Sequence, residues 1–114
     1  MKRYFGRNSF YFGVIASFLL ISTAAFSKDH KFQGSIPLKG IPKREYATLA
    51  KLTIQEAMTK ANQAVPGKII EIVLEEEEGF LIYEAEVVRA DQSHDEVIID
   101  AGSGAVLLVK AKKH

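Results

Sequence analysis

The chain has 114 residues, 15 Lys+Arg against 14 Asp+Glu, a net charge of +1, and neither Cys nor Trp. That length holds one domain, and 47% hydrophobic with 25% charged residues matches a globular rather than a disordered chain. The near-neutral charge argues against a nucleic-acid arm, and the lack of Cys excludes disulfides, Cys-zinc sites, thiol catalysis and a lipidated Cys after a signal sequence.

The first 27 residues have the layout of a secretory signal. Lys2, Arg3 and Arg7 make a positive start, and residues 14–26 form an uncharged, largely apolar run of 13. Ala25-Phe26-Ser27 then places small residues where a signal peptidase reads. A spanning helix needs about 20 apolar residues, and the longer run over residues 10–26 has 17. The segment therefore reads as a removable signal, cut after Ser27 or, second, after Ala25, and not as a stable membrane span. Cleavage would leave 87 residues with 12 positive and 14 negative charges, net −2. Export would place the protein in a periplasm, most simply a bacterial one, or outside the cell.

Residues 28–43 carry Gly34, Pro37, Gly40, Pro42 and four Lys with no period, the pattern of an extended leader. Phe32, Ile36, Leu38 and Ile41 are its candidate contacts. Pro42 suits the first turn of a short helix reaching Lys51, with Tyr46, Leu49 and Ala50 on one face. The main helix follows. Thr53-Ile54-Gln55-Glu56 is a capping box. Ile54, Ala57, Met58, Ala61, Ala64 and Val65 fall on one stripe, so Met58 is expected to fill the core. Pro66-Gly67 stops the helix.

After Gly67 the apolar period changes from 3.6 to 2. Ile70, Ile72 and Leu74 alternate with polar neighbours, Glu75 to Gly79 turn, and Leu81, Tyr83, Ala85 and Val87 continue a hairpin. Parity pairs Leu74 with Tyr83 or Leu81. A second turn at Asp91-Gln92-Ser93 is expected to pair Val87 with Val97 and Arg89 with Asp95. Val97, Ile99 and Ala101 then share the face of Leu81 and Tyr83. Gly102-Ser103-Gly104 makes a tight turn into a final strand over residues 105–109, and Lys110, Lys112, Lys113 and His114 form a basic tail. The expected fold is α+β, one main helix on a four-stranded antiparallel meander, because neither layer can bury its apolar side alone. The domain plan is signal 1–27, leader 28–43, folded unit 44–110 and tail 111–114.

No catalytic constellation emerges. Ser35, Ser93 and Ser103 lie in no nucleophile-elbow pattern, and the carboxylates have no pocket or partner that general acid–base work requires. In His94-Asp95-Glu96 only His94 and Glu96 could converge from one strand face, and the spacing matches no recognised metal site. The expectation is a non-enzyme without cofactor or metal. Glu75, Glu76, Glu77 and Glu78 read either as a solvated turn or as an acidic prong for a basic groove. The face away from the helix is expected to carry Ile69, Val73, Ile82, Val88, Ile98, Leu107 and Val109 with Glu71, Glu84 and Glu86. It is covered by the leader or open for docking.

Four stretches resemble the PepSY domain: Leu52-Thr53-Ile54-Gln55-Glu56-Ala57, Ala64-Val65-Pro66-Gly67-Lys68-Ile69, the strand over residues 81–87, and Ile99-Asp100-Ala101-Gly102-Ser103-Gly104-Ala105-Val106. The similarity spans about residues 51–109. It departs at Asp91-Gln92-Ser93-His94, where relatives often have a Gly. The resemblance implies a helix on an antiparallel sheet and a role in restraining peptidases, with no family catalytic residue to carry over. No peptidase follows in this sequence, so that role would act in trans on an extracytoplasmic peptidase partner. Leu107 and Val109 on the final edge strand, with Glu75 to Glu78 for charge steering, are the candidate partner-binding residues. The alternative is a periplasmic binding or sensor-accessory module for a small ligand, a metal or a membrane protein. Neither reading fixes an oligomeric state.

Overall fold

The computed structural model describes residues 32–113, so the proposed signal, residues 28–31 of the leader and His114 lie outside it. A 3-10 turn, Lys43–Glu45, leads into α1 (Tyr46–Leu49) and then α2 (Ile54–Ala64). Four strands follow, β1 (Lys68–Glu77), β2 (Phe80–Val88), β3 (His94–Asp100) and β4 (Val106–Lys112). They form one antiparallel sheet in sequence order. The fold is α+β, with the helix on one face of a four-stranded meander.

The capping box sets the start of α2. Glu56 N donates to Thr53 Oγ1 at 3.0 Å, and Thr53 N donates back to Glu56 Oε1 at 2.9 Å, satisfying two amides that have no partner inside the helix. Ala57, Ala61 and Val65 are buried against Leu81, Tyr83, Ala85, Val87, Val97, Ile99 and Ala101. Two alanines on the contact line let the helix approach the sheet closely.

That line also corrects the place of Met58, which is 37% exposed, as Ile54 is 46% exposed. At 3.6 residues per turn Met58 lies roughly 60° round the helix from Ala61, on the flank of a stripe only one side chain wide. Met58→Ala is therefore expected to change stability by no more than about 0.5 kcal/mol, the range of surface substitutions. Chemical denaturation would check this, and a loss above 2 kcal/mol would restore the residue to the core. Ala64, also assigned to the stripe, is exposed at the helix end.

The leader completes this core. Leu38 is 5% exposed within it, and Ile36 and Ile41 pack against it. Leu81 N donates to Ile36 O at 3.0 Å and Leu38 N to Gly79 O at 2.9 Å, so this segment lies beside the start of β2. Ile36, Leu38 and Ile41 thus join the helix-side core, while Gly34 and Ser35 lie against Phe80 and Asp100 at the edge of the opposite face. Tyr46, Leu49 and Ala50 pack on the same core. Tyr83, buried between helix and sheet, donates its hydroxyl to Leu52 O at 2.8 Å. Burial, and then the Glu56 charge, raise its pKa above the ordinary tyrosine value.

Two register shifts change the expected faces. Ile69 pairs with Val87 and Glu71 with Glu86, leaving Ile70 as an extra residue. This bulge puts Ile69 against the core and leaves Ile70 53% exposed, reversing the expectation for both. A second shift between Ile98 and Ile99 sets Leu108 opposite Ile98 and Val109 opposite Val97. Directly opposed residues share a face, so Val109 belongs to the helix side and Leu108 takes the outer place expected of its neighbours. Leu107 falls at the shift itself.

The turns follow their chemistry. Glu78 and Gly79, with φ of 55° and 86°, form the two-residue loop that matches the twist of a hairpin, and Leu74 pairs with Tyr83. The acidic run is thus mostly strand, because β1 extends through Glu77. The next link spans residues 89–93, longer than expected, and pairs Val87 with Asp95 and Ala85 with Val97. The expected register was offset by two, which preserves parity and hence the buried face. Gln92 takes the left-handed conformation there, φ 75°. The Asp91 carboxylate accepts from Ser93 N at 2.9 Å and Ser93 Oγ at 2.6 Å and holds the loop.

Candidate functional site

The outer face of the sheet collects most of its charge. Period-2 alternation and the register place Glu71, Val73, Glu75 and Glu77 of β1 there. Phe80, Ile82, Glu84, Glu86 and Val88 of β2, and His94, Glu96, Ile98 and Asp100 of β3, lie beside them. Leu108, Lys110 and Lys112 of β4 complete the face. Ile82 and Ile98 are buried at its centre. Glu71, Glu86 and Glu96 stand directly opposite one another on three adjacent strands, an arrangement that destabilises a sheet unless something compensates.

Compensation is concentrated on the β3–β4 side. His94 Nδ1 donates to Glu86 Oε2 at 2.6 Å, and Lys112 Nζ donates to Glu86 Oε1 at 2.9 Å. Lys110 lies 3.5 Å from Glu96. The hydrogen bonds from His94 and then Lys112 hold the Glu86 carboxyl below the usual glutamate range. The same bond raises the Lys112 ammonium above its ordinary value. Lys110 and Lys112 are therefore strand residues with partners and not part of a solvated tail.

The β1–β2 side is arranged differently. Carboxylate oxygens of Glu75, Glu77 and Glu84 lie within 4.8 Å of one another. Such groups cannot all stay ionised at low cost. Hydrogen bonding with Glu75, then burial, then hydrogen bonding with Glu96 push the Glu84 carboxyl up to about 8. Glu84 therefore holds its proton at neutral pH, and its one O–H can donate to a single neighbouring carboxylate. These three are the described residues whose geometry approaches a cation site, and the proton on Glu84 lowers the repulsion within the group.

The acidic run is not a uniform prong. Glu76 points to the turn and accepts from Gly79 N at 2.7 Å. Glu75 and Glu77 turn onto the outer face beside Glu84. Leu107 and Val109 sit on β4, at the opposite edge from Glu75 to Glu77 on β1. Three inter-strand steps separate the edges, roughly 14 Å, so the two groups of candidate residues do not form one patch. Sequence reasoning missed the protonated Glu84 beside Glu75 and Glu96, although hairpin parity, once the two-residue turn is chosen, puts Glu84 diagonally beside Glu75.

The two edges also differ in openness. β1 carries Glu71, Glu75 and Glu77 and a bulge, all devices that discourage strand pairing. β4 is regular from Leu108 onward, and its Val106 and Val109 are 40% and 42% exposed. Among the described residues no strand pairs with its outer side. No helix among the described residues is long and apolar enough to cross a membrane.

The family model described as PepSY, peptidase propeptide and YPEB domain, matches residues 51–110. The match takes in α2, β1, β2 and β3 whole and most of β4. No curated protein and no solved structure matches the chain.

Proposed function

The chain belongs to the PepSY family of peptidase-propeptide domains, and on that premise we propose that it is an exported, non-catalytic module that binds an extracytoplasmic peptidase in trans and lowers its activity. The observation that carries this reading is the coincidence of the family match with the helix and sheet that make up most of the folded unit. The sequence pattern of the first 27 residues supports export. Docking uses the β4 edge, where an extended partner segment can add as a fifth strand through main-chain hydrogen bonds. The exposed Val106 and Val109 flank that edge. The acidic residues of β1 lie too far away to touch the same segment and act through their field, which salt screens over about 8–10 Å.

Titration of the protein against extracytoplasmic peptidases of its own source tests this directly. Inhibition at micromolar concentration is expected, reduced at least tenfold by Val109→Lys and Leu107→Lys, with the exposed α2 variant Gln63→Ala as a control. Absence of inhibition, together with co-isolation of a transporter or sensor kinase, would move the assignment to a sensor-accessory module.

A further inference from the structure

A groove of about 590 Å³ opens at the end of the β1–β2 ladder away from the acidic hairpin, between the Pro66–Lys68 link and the loop after β2. Glu77 pairs with Phe80 at one end of the ladder and Lys68 with Val88 at the other. A ten-residue strand puts roughly 30 Å between them. Pro66, Ile70, Val88 and Ala90 supply an apolar lining, with Lys68 and Arg89 beside them.

Three features make this more than a gap between loops. The β1 bulge is what puts Ile70 there. Without the extra residue Ile70 would keep the core parity of Ile72, but it is turned out and 53% exposed, and re-aiming a side chain is a recurrent use of bulges. The wall is also held closely. A Cβ on Gly67 would lie 2.4 Å from Val88 O, so only glycine lets the link after α2 pass this near β2. The charge is the third feature. Lys110 and Lys112 are ion-paired, and the Arg89 Nε donates to Asp95 Oδ2 at 2.8 Å. Of the three lysines in the sheet, Lys68 alone has no carboxylate at ion-pair distance among the described residues.

A ligand suited to this groove offers an aliphatic group to Ile70 and Val88 and an anion to Lys68, which stands opposite Val88 on the neighbouring strand. Phosphate would leave the apolar lining unused. In the last residue of a polypeptide, side chain and carboxylate branch from one Cα and meet both demands. We propose that the groove binds the free C-terminus of a polypeptide ending in an aliphatic residue, with the terminal carboxylate on Lys68 and the side chain against Ile70 and Val88. The site is independent of the β4 edge and of any inhibition.

The test is fluorescence anisotropy on the full chain, with an N-terminally labelled hexapeptide ending in Leu and the same peptide carrying a C-terminal amide. The free acid is expected to bind about tenfold more tightly than the amide. Lys68→Gln should abolish that difference, and Ile70→Ser should weaken the acid by about tenfold. Both residues are exposed, and circular dichroism would confirm that the variants fold. Equal binding of acid and amide, discrimination that survives Lys68→Gln, indifference to Ile70→Ser, or no binding at millimolar peptide would each overturn the proposal. Complete displacement of the peptide by an equal concentration of inorganic phosphate would show a simple anion site and overturn it too.

Discussion

Asp100→Ala is expected to destabilise the protein by about 3 kcal/mol, as loss of a buried charged acceptor serving several donors does. Asp100 is 2% exposed. Its Oδ1 accepts from Ser35 N at 3.2 Å and Gly102 N at 3.3 Å, and its Oδ2 from Ser103 N at 3.2 Å and Ser103 Oγ at 2.6 Å. One carboxylate thus ties the leader to the β3–β4 turn. Alanine would take the acceptor from these part-buried hydrogen bonds and free the leader, whose Leu38 helps close the core. In a domain of this size the melting temperature should fall by more than about 10 °C, with Asp100→Asn intermediate because one acceptor oxygen survives. A fall below about 2 °C for Asp100→Ala would show that the leader is held by its apolar contacts alone. Burial would by itself raise the Asp100 pKa, but the hydrogen bonds from Ser103, Ser35 and Gly102 outweigh it and hold the carboxyl below the usual aspartate value. The folded state therefore binds this proton more weakly than the unfolded state, so the contribution is present above the unfolded value and is lost as pH falls below about 4.

Glu84 has the opposite sign. Its carboxyl titrates near 4.5 when unfolded and is pushed up to about 8 in the fold, first by hydrogen bonding with Glu75, then by burial and by Glu96. Between those values the folded state holds a proton that the unfolded state has lost. Stability from this group is therefore complete below about pH 4.5 and declines as pH rises towards 8. The charged groups facing it are Glu75 and Glu77 from β1 and Glu96 from β3, and the nearby Lys110 and Lys112 are engaged by Glu96 and Glu86. Wild-type protein is expected to melt several degrees lower at pH 8.5 than at pH 5.5. Glu84→Gln, whose amide N–H groups can donate to the neighbouring carboxylates without an ionisable proton, should flatten most of that slope and be the more stable protein at pH 8.5. Parallel profiles for the two proteins would remove Glu84 as the cause.

These two carboxylates show where sequence patterning reached its limit. The helix, its capping box and its Pro-Gly stop were legible because each is local. So was the four-strand order, since period-2 runs alternate with Gly and Asp turns. Parity carried the buried face through the second turn although the register there was offset by two, because an even offset leaves every side chain on its side. Bulges break that logic. One extra residue at Ile70 and another near Leu107 reversed the faces assigned to Ile69, Ile70 and Val109, and alternation contains no mark of either. Met58 failed for another reason: a stripe drawn from hydrophobicity alone is wider than the contact, whose line is set by Ala57 and Ala61. The proton held on Glu84 and the four donors on Asp100 depend on which strands are neighbours and on the leader's path. Both are tertiary facts, and residues 75–78 as a run of like charge gave no sign of them.

The claim that the β4 edge docks a peptidase is tested most directly by amide hydrogen exchange on the mixture of the protein with a peptidase it inhibits. Strand addition would slow exchange at outward-facing amides along Val106–Lys112 and leave the β1 edge unchanged, and Val109→Lys should abolish that protection together with the inhibition. Inhibition without slowed exchange on β4, or protection confined to β1 and the acidic hairpin, would contradict the account.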